Sequence, residues 1–367
     1  MKINAMIQVL EQLAPPSLQE SYDNAGLITG SASWECTGVL CTLDAIEAVI
    51  LEAKQKGCNL VVAHHPIVFG GLKKLNGKNY VEKAVITAIK NDIAIYAMHT
   101  NLDNVAWGVN NKIADKLGLI NRKILSPKPG QLMKLHTFVP VEHAENLRTA
   151  LFTAGAGEIG KYSHCSFNVE GTGTFQAGEG TDPFVGEIGK THTEKEIRLE
   201  VIFPVWKQSE ILSALFQAHP YEEVAYDLVS LGNDYQDIGS GLIGTLPEPM
   251  EETQFLRMLV TSFGLSMVKH TPFLGKNIQK VAICGGAGSF LTGKALSKGA
   301  DIYISADFKY HEFFDANDRM VIADIGHWES EQFTTDLLID VLQAKFPTFA
   351  VLKSEVKTNP VNYFTGE

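Results

Sequence analysis

Two adjacent histidines, His64 and His65, close the short apolar run Asn59–Ala63 and are followed at once by Pro66. Successive side chains of a regular strand point to opposite faces, so neighbouring imidazoles can serve one site only where the strand gives way to a loop. Pro66 imposes that change, because it holds His65 extended and removes its own N–H from any ladder. Neutral imidazole is the commonest metal ligand, but isolated His-His pairs are frequent, so the partners decide. Two further segments supply partners. His99-Thr-Asn-Leu-Asp103 carries an imidazole and a carboxylate, and Gly326-His-Trp-Glu-Ser-Glu331 sets His327 and Glu331 four apart, on one helical face. His64, His65, Asp103, His327 and Glu331 together offer three nitrogens and two carboxylates. One catalytic zinc-type ion needs about three protein ligands plus water, so five ligands predict two divalent ions with a bridging carboxylate. Nitrogen and oxygen ligands without thiolate allow zinc, manganese, iron or cobalt, and the ligand types do not choose among them; zinc is taken as the first choice. Structural roles also stay open: Asp103 could cap a helix beginning near Val105, and Glu331 could sit in a first turn opposite the helix dipole.

These segments need elements to position them. Val39–Leu43, Leu60–Ala63 and Ile93–Met98 read as strands, separated by helices. The first helix, with Ile46, Val49, Ile50 and Ala53 on one face, is expected to be capped by Asp44, and the second carries Val81, Ala84, Val85 and Ala88. The last third repeats this pattern, with strands at Lys280–Cys284, Asp301–Ser305 and Met320–Asp324, a helical His311–Ala316 and a long helix Trp328–Ala344. Alternating strands and helices predict a mainly parallel α/β sheet, in which ligands bind beyond the carboxyl ends of the strands. Each histidine segment follows such a strand. The middle of the chain differs: its order is β-α-β-β-α-β, the split-βαβ ferredoxin-like plan of an α+β domain, bracketed by Pro- and Gly-rich segments. The expected division is a core at 1–127, an insert at 128–240 and the second half of the core at 241–367.

The chain has 367 residues and a formal charge of −11, with no basic stripe, so a nucleic-acid partner is not expected. Five cysteines without a C-x-x-C pair fit reduced thiols better than disulfides or thiolate-held zinc. The stretch Met1–Leu10 reads as an amphipathic helix too polar for a signal peptide, and no run reaches membrane-spanning length; no membrane association and a cytoplasmic location are expected.

Tyr22-Asp-Asn-Ala-Gly-Leu27, Ala63-His-His-Pro66, His99-Thr-Asn-Leu-Asp103 and Gly326-His-Trp-Glu-Ser-Glu331 resemble segments of the Nif-three-like family, whose members are dinuclear metal-centre hexameric proteins often called GTP cyclohydrolase I type 2 homologues. The resemblance spans the whole chain. The insert, with His219-Pro-Tyr-Glu-Glu-Val-Ala-Tyr-Asp227, resembles the PII/CutA-like domain of longer members. The resemblance implies a Nif-three-like α/β core in two halves, and His64, His65, Asp103, His327 and Glu331 as metal ligands, with Glu331 the choice for the bridge. It also implies a homohexamer with metal sites facing an internal cavity.

Other residues are weaker candidates. His99 reads as a group orienting Asp103 ahead of an extra ligand, and His311 as a general acid or base, or else an exposed helix-start histidine. Tyr22, Asp23 and Asn24 either line the same cavity or form a plain turn before Gly26. Cys284-Gly-Gly-Ala-Gly-Ser289 reads first as a tight strand-to-helix turn and second as a phosphate contact; it lacks the Lys of a P-loop. His219, Tyr221 and Glu222 read as strand and packing residues ahead of a metal or effector site. The leading expectation is a metal-dependent hydrolase acting on a nucleotide-like small molecule, by cyclohydrolase or phosphoesterase chemistry, with His311 or His99 moving protons. The rival is a hexameric metal-binding scaffold whose insert senses an effector without turnover.

Overall fold

The computed structural model describes residues 1–364. The chain divides into two compact units: Lys128–Tyr235 forms one, and the residues on either side of it form the other. The flanking unit begins with α1 (Ile3–Leu13), β1 (Gly26–Thr29), β2 (Val39–Asp44), α2 (Glu47–Gln55), β3 (Leu60–His65), α3 (Tyr80–Lys90) and β4 (Ala94–Ala97). A short α4 (Thr100–Asp103), α5 (Val109–Lys116) and β5 (Ile120–Pro127) follow. The Lys128–Tyr235 unit contains β6 (Leu132–Pro140), α6 (Ala144–Thr153), β7 (Ser166–Gln176), β8 (Thr191–Pro204), α7 (Gln208–Ala218) and β9 (Tyr226–Leu231). The flanking unit resumes with β10 (Gly239–Met250), α8 (Glu252–Phe263), β11 (Lys269–His270), β12 (Ile278–Ala287), α9 (Thr292–Ser297), β13 (Ile302–Ala306) and β14 (Val321–Asp324). It ends in α10 (His327–Glu331), α11 (Thr334–Lys345) and β15 (Val351–Lys353).

Two sheets build the flanking unit. The first has the order β1-β4-β3-β2-β15, with β4, β3, β2 and β15 parallel and β1 antiparallel at the edge. The second has the order β11-β14-β13-β12-β10-β5, with a parallel centre of β12, β13 and β14. The inner strands are buried on both faces, which is why Leu60-Val-Val-Ala63 and Val321-Ile-Ala323 read as unbroken apolar runs. Leu40, Val61, Ala63 and Ile95 pack beneath Val49, Ile50 and Ala53 of α2 and Ala84, Val85 and Ala88 of α3. Around Tyr303, Ala282 and Ile322 a second cluster gathers Leu291, Ala295 and Met320. The strands of both parallel regions therefore deliver their carboxyl ends, and whatever residues follow them, as fixed points.

In the Lys128–Tyr235 unit the strands stand in the order β7-β8-β6-β9, every neighbouring pair antiparallel. Leu135, Val139, Leu199, Val201 and Phe203 on one face pack against Leu147 and Leu151 of α6 and Ile211 and Leu215 of α7.

Three local expectations are revised. Asp44 does not cap α2, whose N-cap is Ile46 without a side-chain bond; Asp44 ends β2 and is bound by His65 instead. The long helix expected at Trp328–Ala344 is two helices, α10 and α11. The side-chain amide of Gln332 donates to the Glu329 carbonyl, the acceptor that a continuous helix would offer to the Phe333 N–H, and also to the Phe263 carbonyl. Cys284–Ala287 is still strand β12, and its glycines serve close packing, as described below.

Candidate metal centre

His64 and His65 are the last two residues of β3, Asp103 ends α4 just beyond β4, and His327 and Glu331 bound α10 just beyond β14. The structure brings all five together. Ligand atoms of His64, His65 and Glu331 lie within 4.8 Å of one another. The Glu331 carboxylate divides the group. Its Oε1 lies 3.7 Å from His64 Nε2, and its Oε2 lies 3.0 Å from His65 Nε2 and 3.2 Å from His327 Nε2. Asp103 Oδ1 stands 3.7 Å from His64 Nε2.

The three imidazoles are oriented alike. His64 Nδ1 donates to the Met98 carbonyl at 2.7 Å, His65 Nδ1 to Asp44 Oδ1 at 2.8 Å and His327 Nδ1 to Asp307 Oδ2 at 2.6 Å. These partners only accept, so each ring carries its proton on Nδ1 and turns Nε2 to the centre, the arrangement that primes a histidine for a metal. Asp44 is itself held by the Thr358 hydroxyl at 2.6 Å. Asp307 reaches His327 from a left-handed backbone, φ 58°, a conformation uncommon outside glycine.

A cation fits this arrangement. Among the described residues, His64 Nε2 and Asp103 Oδ1 are buried without a hydrogen-bond partner, a costly condition that a shared ion relieves. Their 3.7 Å separation is too long for a hydrogen bond but suits two ligands on one ion at about 2.1 Å each. Burial and the Glu331 charge push the Asp103 carboxyl up to about 7, against the opposing pull of His99, His65 and His327. Burial disfavours charge on His65 and His327, yet hydrogen bonds to Asp44 and Glu331 push His65 up to about 10, and Glu331 and Asp307 push His327 up to about 9. Glu331 is held well below the carboxylate range despite burial by His64, His327 and His65. The site thus demands positive charge. Burial and the charges of Asp103 and Glu331 push the Cys284 thiol far up.

Glycine geometry admits the carboxylate. A Cβ on Gly286 of β12 would meet Glu331 Oε1 at 2.3 Å, and the residue has φ +63°. The Gly285 and Gly286 N–H groups are already spent on Asn110 Oδ1 and Ser330 Oγ, so this end of β12 approaches Glu331 instead of cradling a phosphate.

His99 Nδ1 donates to Asp23 Oδ1 at 2.7 Å, and its ring centroid stands 5.4 Å from His64 and 5.5 Å from His65. Asp23 also accepts from the Thr100 N–H at 3.0 Å and from its hydroxyl. Burial opposes the Asp23 charge, but the hydrogen bonds from His99 and Thr100 hold its carboxyl well below the usual range. Tyr22 and His99 line a cavity of about 1190 Å³ above the cluster, whose walls include Phe69, Lys78, Tyr80, Lys83, Phe290 and Lys357. Asn24 ties the same turn to the Val68 carbonyl. His311 stands elsewhere: it is exposed on the turn after β13, stacked on Phe314 and edge-on to Tyr310, and does not line this cavity. In the Lys128–Tyr235 unit, His219 Nε2 donates to the Phe138 carbonyl at 2.9 Å and the Tyr221 hydroxyl donates to Glu196 Oε1 at 2.9 Å. Sequence reading missed Asp44, Asp307 and Thr358 as supports. The signal for the first two was present, since each acidic residue ends or follows a parallel strand beside a histidine-bearing one.

Residues 1–360 match the family model described as Duf34/NIF3 (NGG1p interacting factor 3). A Halalkalibacterium halodurans protein named GTP cyclohydrolase 1 type 2 homolog is 38% identical over 363 residues, covering 98% of each chain. Its Bacillus subtilis namesake is 35% identical over 366 residues, covering 98% of this chain and 97% of that one. The crystal structure of a Bacillus cereus protein related to NIF3 superposes with a TM-score of 0.88 at 37% identity, covering 99% of both chains. The chain belongs to the Duf34/NIF3 family.

Proposed function

We propose that this protein is a dinuclear metal-dependent hydrolase of a nucleotide-like substrate. The observation that carries the reading is the division of ligands by Glu331. Oε1 stands nearest His64, whose Nε2 also lies 3.7 Å from Asp103 Oδ1, and Oε2 stands nearest His65 and His327, which supports reading one buried carboxylate as the bridge between two ions. Divalent ions held there would supply Lewis acidity and activate water at neutral pH; zinc is our first choice, with manganese, iron or cobalt as alternatives. The chain's own groups do the rest. His99, with Nδ1 tied to Asp23 and no partner on Nε2 among the described residues, is the group to hold or move a proton in the cavity. His311, on the turn that also carries Asp307, is kept as a second proton-transfer candidate although it lies outside the cavity lining. Lys78, Lys83 and Lys357, with Tyr80, Phe69 and Phe290, combine cations with aromatic faces, which suits phosphate groups attached to a heterocyclic base.

We read residues 128–235 as a ferredoxin-like, PII/CutA-like insert, a reading supported by the β-α-β-β-α-β order and the β7-β8-β6-β9 sheet. A homohexamer in the cytoplasm is part of the same proposal, and mass photometry tests the assembly. Among the described residues no helix is long and apolar enough to cross a membrane.

The decisive experiment combines elemental analysis with a turnover panel of GTP, other nucleotides and phosphoesters. Two metal equivalents per chain, with activity lost on chelation and restored by one preferred metal, are expected. Formate release from GTP would identify cyclohydrolase chemistry, and phosphate release a phosphoesterase. Stoichiometric metal without turnover on any substrate would overturn the enzyme reading in favour of a scaffold.

A further inference from the structure

The face of the Lys128–Tyr235 sheet turned away from α6 and α7 carries a cavity of about 590 Å³, formed entirely by that unit. Strand alternation builds it. Ile197, Leu199 and Val201 of β8 point into the core beneath the two helices, so Glu196, Arg198 and Glu200 point the other way. Across the sheet, β7 places Gly171 opposite Glu196, and Gly173 two residues on along the same face. With no side chains at those two positions, a hollow opens over the Glu196 carboxylate. A Cβ on Gly173 would lie 2.2 Å from Glu196 Oε2.

Glu196 is an unusual floor for an apolar pocket, being only 8% exposed. Its Oε1 accepts from the Tyr221 hydroxyl at 2.9 Å, and its Oε2 lies over Gly173. A carboxylate so far withdrawn from water favours a positive partner. The walls are aromatic. Phe175 and Phe184 lean on Tyr221 with ring centroids 6.1 and 6.2 Å apart and planes inclined at 57° and 49°, so the three rings enclose the space as angled walls instead of stacking shut. Phe138 closes another side. Further carboxylates, Glu170, Glu222 and Glu223, stand in the lining against one cation, Arg198, whose Nη2 is already 2.8 Å from Glu200. Angled aromatic faces around a carboxylate form the environment that attracts alkylated ammonium groups, by cation–π attraction and direct charge pairing. The volume is that of a small-molecule site.

We propose that this cavity binds a small organic cation with an alkylated ammonium head, seated between Phe175, Phe184 and Tyr221 and paired with Glu196. The site stands independently of the metal centre's chemistry. The test is calorimetric titration of the full-length protein with choline and, in parallel, with 3,3-dimethyl-1-butanol, the uncharged analogue of the same shape. Choline is expected to bind with the alcohol at least roughly tenfold weaker, since shape is matched and only charge differs. Because that comparison uses the unaltered protein, misfolding cannot confuse it. Glu196→Gln is expected to weaken choline on the order of tenfold. Gly173→Ala, at an extended position that accepts alanine, is expected to do the same by displacing the carboxylate. Absence of choline binding, including absence because a second copy covers this face, would overturn the proposal. So would equal binding of the two analogues, preference for an anion such as ADP, or variants that bind as the parent does.

Discussion

Asp44, Asp307 and the Met98 carbonyl each spend an acceptor on holding one imidazole of the candidate metal centre. Asp44→Ala is expected to lower metal affinity by roughly 10–100-fold, because the His65 ring loses its tautomer and its direction together. Competition with a chromophoric chelator measures this; an unchanged affinity would mean that His65 is not a ligand. Removing the shared carboxylate should be graver. Glu331→Gln is expected to lose both metal equivalents, whereas Asp103→Asn should lose one and keep the other, as read by elemental analysis. Asp23 yields a prediction in pH. Its folded carboxyl lies below its unfolded value, so its contribution is full above about pH 4 and is lost as pH falls further. Asp23→Asn should therefore cost about 1–3 kcal/mol at pH 7, and the gap to the parent should narrow by pH 3 in urea unfolding. A gap that stays constant over that range would contradict the assigned His99–Asp23–Thr100 bonding.

At the scale of elements, α3 shows how a cap shapes the cavity. Asn79 Oδ1 accepts from the Glu82 N–H at 2.9 Å, and Glu82 in turn takes the N–H groups of Asn76 and Lys78 at 3.0 Å each. The loop that carries Lys78 is thereby folded back on the helix start. Asn79→Ala should cost about 1 kcal/mol of stability. Since Lys78 and Tyr80 line the cavity while no ligand lies on this loop, KM should rise with kcat little changed; a fall in kcat alone would place the loop in the chemistry. Legibility also divides by element. The buried parallel strands were readable because burial on both faces demands apolar runs, and the helices between them because one face repeats at helical spacing. The break between α10 and α11 was not readable, since Gln332 ends α10 partly by reaching the carbonyl of Phe263, a residue far away in sequence.

For the whole molecule, β5 and β10 are neighbouring antiparallel strands of one sheet, with Pro127 opposite Gly239 and Ser126 opposite Ser240. The chain therefore leaves the flanking unit and re-enters it at almost one point. Replacing residues 128–235 by a short Gly/Ser linker should leave a folded unit with its full metal content, as read by circular dichroism and elemental analysis. Loss of metal despite a native spectrum would show that the excised unit supports the centre. What the sequence by itself determined is the set of candidate ligands: His64, His65, Asp103, His327 and Glu331 were visible because polar residues directly after apolar strand runs stand out, and strand carboxyl ends are where α/β sheets bind. Only the tertiary structure decided how Glu331 divides its two oxygens, which carboxylates hold each imidazole, and why Gly286 is needed. Those facts concern distances between segments up to 266 residues apart, set by how two sheets present their ends to each other, and no local pattern encodes that spacing.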